Sequence, residues 1–284
     1  MSDGRPRAWP DAMLAAAAWT AALVVAGLFV WLIADVLVAG MGRISWSFLT
    51  EDPRDAGRAG GIAPILVSTF LIMLVCMATS VPLALATAIT LSELTRRDGA
   101  FATFVRRSLD ILAGIPSIVF GLFGYALFCK HLGLGFSILA GGLTLSCMVL
   151  PLLIRTAEEG LRAVSNEYRL AAAGLGMSRT TTIVQILLPA AMPAVVVGMI
   201  LSLGRALSET AALIFTSGYV DRMPDSVLDS GRSMTVHIYD LAINVPGGNT
   251  NAYTTALVLV IFLLIINSAT TWLSKRWLRL KQER

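Results

Sequence analysis

A guanidinium and a carboxylate stand inside a long apolar stretch of this 284-residue sequence: Arg205 and Glu209, in Leu203-Gly204-Arg205-Ala206-Leu207-Ser208-Glu209-Thr210. A charge in a bilayer core is costly, so an ionisable residue there marks an ion or substrate path by default. Arg205 stays charged and offers a planar fork of donors suited to an oxyanion such as phosphate. At i and i+4 on a helix the two residues share a face and can pair, so Glu209 can reclaim Arg205 once an anion leaves. Ser202, Ser208 and Thr210 add hydroxyl donors close by in sequence. The competing reading is a structural ion pair tying two helices together. Ser117 is a second candidate, because Pro116 before it lacks an N–H, frees a carbonyl and kinks a helix, where hydroxyls can line a cavity. The plain alternative there is a kink packed through Gly114, Gly121 and Gly124. Asp35, near the outer end of the first apolar run, reaches water or caps a partner.

Other chemistry finds little support. The sequence shows no paired carboxylates, His cluster or nucleophile arrangement, and His131 and His237 fall in segments expected at the outer surface. Cys76, Cys129 and Cys147 lack C-x-x-C spacing and lie in or beside apolar runs, which suggests neither a disulfide framework nor a zinc site. A phosphate-binding loop requires Gly-Lys followed by Ser or Thr. Lys130, Lys275 and Lys281 follow Cys, Ser and Leu, so the chain is not expected to hydrolyse ATP itself. No metal site or cofactor is expected in it.

The elements that must position Arg205 follow from composition. Hydrophobic residues make up 56% of the chain and charged ones 14%, with mean hydropathy +0.75, whereas a soluble domain carries roughly 25% charged residues. The excess apolar surface needs lipid, which predicts one all-α membrane domain over 12–275 between tails 1–11 and 276–284. A bilayer core of about 30 Å takes roughly 20 apolar residues in a helix, and that yardstick predicts six spans: 12–39, 62–91, 111–128, 134–154, 183–215 and 253–273. The third and fourth, separated by Cys129 to Gly133, read as a helical hairpin. The fifth is too long for a simple span, and Pro189 and Pro193 predict a bend or break in its first part. After it, residues 217–251 form a long outer segment with a short helix expected at 233–243.

The net charge of +4 is spread over short loops, not gathered into one stripe, which argues for membrane orientation and against nucleic acid. One set of connections holds Arg5, Arg7, Arg96, Arg97, Arg106, Arg107, Arg155, Arg162, Arg169 and Arg179, with Lys275, Arg276, Arg279, Lys281 and Arg284 in the C-terminal tail. The opposite side holds Arg43, Arg54, Arg58, Lys130, Arg222 and Arg232. Because basic residues concentrate in cytoplasmic loops, both termini are expected in the cytoplasm.

The fourth connection, about 158–181, lies on that basic side. From Glu167 onward it reads EYRLAAAGLGMSRTTTIVQILLP to Pro189. Ala171, Ala172, Gly176, Ile186, Leu188 and Pro189 fall in register with the cytoplasmic loop of ABC importer permeases, Glu-Ala-Ala, three residues, Gly, nine residues, Ile-x-Leu-Pro. Leu170 stands where the family has Glu. The chain therefore resembles permease subunits of binding-protein-dependent ABC importers. Arg205 to Thr210 further resembles the Gly-Arg-Ala-x-Gly-Glu-Thr segment of the phosphate importer permeases, with Ser208 in place of Gly. Ile115 to Gly124 resembles their Pro-Ser-Ile-Val-x-Gly-Leu segment.

The resemblance implies a type I importer permease fold in a bacterial cytoplasmic (inner) membrane. Its function would be to form half of a phosphate path; another oxyanion, phosphonate, sulfate or molybdate, is the alternative. It also implies a homologous permease subunit, two ATPase subunits holding ATP and Mg, and an extracytoplasmic phosphate-binding protein as partners. Arg205, and less directly Glu209, would lie on the substrate path. The helix around Ala171 to Gly176, begun near Glu167, would dock in a groove of the ATPase. Ala171 to Ala173 favour helix, and Gly174 or Gly176 can end it in a left-handed conformation.

Overall fold

The computed structural model describes residues 8–96 and 99–282; Arg5, Arg7, Arg97 and Arg284 lie outside them. The chain is an all-α integral membrane protein. Its helices are α1 (Ala8–Met41), α2 (Trp46–Thr50), α3 (Ala63–Ile89), α4 (Ala100–Gly114), α5 (Ser117–Gly124), α6 (Ile138–Ala163), α7 (Asn166–Gly174), α8 (Arg179–Thr182), α9 (Leu188–Leu207), α10 (Ala211–Ile214), α11 (Met234–Ile243) and α12 (Asn249–Gln282). π-helical turns extend α3 through Thr90–Leu94 and α5 through Tyr125–His131, and join α8 to α9 over Ile183–Leu187. A two-residue hairpin, Pro53–Arg54 with Ala59–Gly60, interrupts the link from α2 to α3.

Among the described residues five helices are long and apolar enough to cross a bilayer, and the pair Ala100–Gly114 with Ser117–His131, bent by 103°, is either a sixth, broken span or a re-entrant loop. The core forms where α3 and α9 lie along α6. With lipid outside, such helices associate through close packing rather than a hydrophobic drive, and small residues permit it. Gly142 of α6 meets Val75 of α3, and Gly160 of α6 meets Ala194 of α9. Ile72, Met73, Phe120, Leu145, Val149, Leu213 and Val236 fill the space between. α1 is exposed along nearly its whole length and touches α12 at Gly40, against Tyr253 and Leu257.

Four sequence expectations require correction. Residues 111–128 are not one straight span. Pro116 excludes the helical conformation from the residue before it, Ile115 is extended (φ −73°, ψ 131°), and the helix breaks there. The fifth element breaks after Leu207, not at its prolines. Pro189 lies inside the continuous helix Arg179–Leu207, directly after the π-turn Ile183–Leu187, a local widening that accommodates the missing N–H without a break, and the helix continues through Pro193. The fourth helix starts at Ile138, capped by the Ser137 hydroxyl accepting from the Ala140 N–H, and runs to Ala163 instead of Ile154. At the C-terminus α12 continues past 273 to Gln282.

Candidate functional site

α5 and α10, the short helix that follows the end of α9, meet inside the membrane domain. Gly121 makes this contact possible: a Cβ there would lie 2.9 Å from Ala212 Cα and 3.3 Å from the Ala211 carbonyl of α10. Phe120, Ala206, Leu207 and Ala212 are buried in one cluster, with Ile115 packed on it. The helix broken at Pro116 and the one broken at Ser208-Glu209-Thr210 thus pack on each other through α5 and α10. Helix ends of this kind present unpaired backbone groups within the membrane, the construction that suits ion and anion sites.

Arg205 lies in the last turn of α9 and is exposed. Among the described residues its side chain has no hydrogen bond or ion pair. The expected Arg205–Glu209 pair is therefore corrected. An i, i+4 pair needs helix through both residues, and α9 stops at Leu207. Glu209 turns instead to the next helix, where its carboxylate accepts the Ala212 N–H (3.3 Å) and caps α10. Its carbonyl accepts the Thr235 hydroxyl at 2.7 Å, linking the break to α11. Ser208 Oγ donates to the Arg205 carbonyl at 3.0 Å, which occupies an acceptor the broken helix leaves open. Thr210 and Ser117 are half-buried, while Ser202 is fully buried with its Oγ unpartnered among the described residues.

The second site is the connection from α6 to α9. Ser165 caps α7 by accepting the Glu167 N–H (3.3 Å), and Glu167 is exposed in the first turn. Gly176, at φ 69°, ends the helix. The Met177 N–H reaches the Ala172 carbonyl and the Gly176 N–H that of Ala173, both at 3.0 Å, which together make a Schellman cap. Gly176, not Gly174, is thus the left-handed residue. Ala172 is buried, whereas Ala171 is exposed beside Tyr168, Leu170 and Leu175. The remainder of the motif faces inward: Ile186 packs beside buried Ile183 and Leu187, and Leu188 and Pro189 begin α9 half-buried. One half of the motif is an exposed peg and the other roots α9.

Residues 80–279 match the family described as "Binding-protein-dependent transport system inner membrane component". The chain belongs to this family of ABC importer permeases. The permease is 32% identical over 272 residues to "Phosphate transport system permease protein PstA 2" of Mycobacterium bovis, an alignment covering 94% of this chain and 89% of that one. It is 29% identical over 267 residues to "Probable ABC transporter permease protein YqgI" of Bacillus subtilis, covering 89% and 90%. The fold recurs in the crystal structure of a bacterial ABC transporter importing the acidic polysaccharide alginate, with TM-score 0.65 at 13% identity over 95% of this permease and 99% of that chain. It recurs again in the MetNI methionine ABC transporter in an inward-facing conformation, with TM-score 0.58 at 17% identity over 76% and 94%.

Sequence reasoning missed His237. It was expected at the surface, yet it is 1% exposed, on the inner side of α11 against Gly57. Its Nδ1 lies 3.4 Å from Arg232 Nη1. Because a guanidinium only donates, Nδ1 accepts and Nε2 carries the proton, buried without a partner in the protein. Burial first, then the Arg232 charge, lower the His237 pKa from 6.5 to about 4, against the opposing pull of Asp240. The apolar spacing of α11 was the available signal, since Met234, His237 and Leu241 share one helix face. His131 is exposed as expected. Asp35 of α1 lies beside Tyr253 of α12.

Proposed function

We propose that this permease carries inorganic phosphate across the membrane, driven by ATP hydrolysed in a separate subunit, and forms half of the translocation path. One observation carries the reading. Arg205 is an exposed guanidinium with no side-chain partner among the described residues, at the break of a membrane helix. A charge in that position is sustained by a ligand or a facing subunit, because bilayer burial without either is costly. The phosphate transport system permeases among its relatives support phosphate as the anion. Arg205 binds the anion; Ser117, Ser202, Ser208 and Thr210 supply hydroxyls around it, and Glu209 adds a carboxylate beside the path.

The partners in this reading are a homologous permease completing the path, two ATPase subunits binding ATP and Mg, and an extracytoplasmic binding protein delivering phosphate. Both termini lie in the cytoplasm. α7 docks on an ATPase through its exposed face, with Glu167, Ala171, Ala172 and Gly176 shaping the peg and Ile186, Leu188 and Pro189 joining it to α9. The test is ATP-dependent uptake of radiolabelled phosphate into liposomes containing the whole complex, with Arg205→Ala and Arg205→Lys alongside wild type. Loss of uptake in Arg205→Ala, in a complex that remains assembled and hydrolyses ATP, is expected. Uptake of a different oxyanion alone by wild type overturns phosphate; normal transport by both variants removes Arg205 from the path.

A further inference from the structure

The coupling helix α7 is barely packed. Ala172 is its buried residue, and Gly174 and Gly176 face open space. What holds it is Arg169. Its Nε donates to Glu93 Oε2 at 3.1 Å and its Nη2 to Glu93 Oε1 at 2.5 Å, a two-point fork onto the π-turn that ends α3. Nη1 donates to the Val164 carbonyl at 2.9 Å and Nη2 also to that of Leu161 at 3.0 Å, both at the end of α6. All three guanidinium nitrogens therefore donate within the protein, and four of the five N–H groups are used there. Glu93 is 10% exposed and Arg169 25%, so solvent screens this pair less than a surface pair. Next to it, Glu158 of α6 accepts from Arg106 of α4 and pairs with Arg162 at 2.8 Å. The ends of α3, α4 and α6 are thereby fastened to one another, and among the described residues Arg169 is the polar side-chain tie from α7 to them, beside the packing of Ala172.

We propose that the Glu93–Arg169 pair is a force-transmitting strut. It makes α7 move as one body with α3 and α6, so that a pull on α7 reaches the helices packed around the path as well as α9, to which α7 is joined through the chain. Glu93 and Arg169 are positioning residues in this inference, which rests on the reading of α7 as the ATPase-coupling helix. A fork of two parallel bonds resists rotation as well as separation. An ammonium at 169 cannot reproduce it, because a point charge offers no fixed fork.

The test uses the whole complex in liposomes, with Glu93→Gln, Arg169→Lys and Arg169→Met. Phosphate taken up and ATP hydrolysed are measured together, and assembly is followed by size. Expected is a roughly five-fold or larger fall in phosphate moved per ATP while hydrolysis and assembly persist, with Arg169→Met the most affected. A second readout needs no transported substrate: spin labels at Leu94 and Ala173 keep their separation between resting and vanadate-trapped wild type, and change it on trapping in Glu93→Gln. An unchanged transport ratio in the variants overturns the strut, as does a changing separation in wild type. Loss of the assembled complex in Glu93→Gln also overturns it, leaving an architectural bond. Failure of the coupling reading looks different: wild type itself then hydrolyses no ATP and traps no vanadate.

Discussion

At the residue scale, the position of Glu209 separates two roles that share one side chain. As a cap its carboxylate oxygen accepts the Ala212 N–H, and a Gln amide oxygen can do the same. Glu209→Gln is therefore expected to leave complex stability unchanged while reducing phosphate uptake if the charge serves the path; equal uptake in both proteins would make Glu209 a cap alone. His237 offers a second measurement. Its folded pKa, about 4, lies below its ordinary 6.5. The unfolded chain therefore binds more protons between those values, and stability present above pH 6.5 is lost as pH falls towards 4. Each pKa unit corresponds to about 1.4 kcal/mol, so the loss approaches about 3 kcal/mol. Thermal unfolding of the purified permease should show this slope between pH 7 and 5, and His237→Gln should flatten it. The intramembrane charges were legible in the sequence as chemistry out of place. Their failure to pair was not, because it depends on α9 ending two residues before Glu209.

At the element scale, two glycines carry the local geometry. Gly176 sits at φ 69°, where an L side chain is strained, so Gly176→Ala should loosen the end of α7 by about 1 kcal/mol. Open space around Gly176 means the cost is conformational alone, and weakened binding of the ATPase subunit to an otherwise folded permease is the expected readout. Gly121 differs, because its obstacle is the backbone of α10 at 2.9 Å. Gly121→Leu forces α5 and α10 apart at an overpacking cost of about 1–3 kcal/mol. It is expected to abolish uptake while α7 still binds its partner; uptake near wild type would show that the two helix breaks need not touch. The Ala-Gly and Ile-x-Leu-Pro spacings were readable as one motif. Only packing showed that its halves face opposite ways, one out to the surface and one into the bundle.

At the scale of the whole molecule, orientation organises everything else. The basic residues on the α7 side are the ground on which α7 is proposed to face the cytoplasm. Cysteines introduced at Ala173 and at Asp225, in a chain with Cys76, Cys129 and Cys147 changed to alanine, should react with an impermeant reagent from opposite faces. Labelling of Ala173→Cys in intact cells would reverse the orientation and, with it, the coupling role of α7. The outer segment is also where the tertiary arrangement adds most. Arg232 pairs with Asp240 at 3.2 Å and donates to the Tyr219 carbonyl at 2.7 Å, and Met234 N–H donates to Thr69 of α3 at 2.9 Å. α11 is thus bound to the bundle rather than lying loose on its surface.

Composition and hydropathy alone determined an all-α membrane chain of about six crossing elements, because apolar runs of bilayer length have no other stable environment. Motif spacing alone determined the permease family, because register along a chain survives without knowledge of the fold. Only the tertiary structure decided where the crossing elements break. Proline positions marked three possible sites, but whether a proline breaks a helix depends on its surroundings, and Pro189 follows a π-turn that lets the helix run on. Only the tertiary structure, too, decided the partners of the charges: Arg169 with Glu93, 76 residues apart, and Arg205 with none among the described residues. Such pairings depend on which helix faces meet, a property of packing that no local spacing encodes.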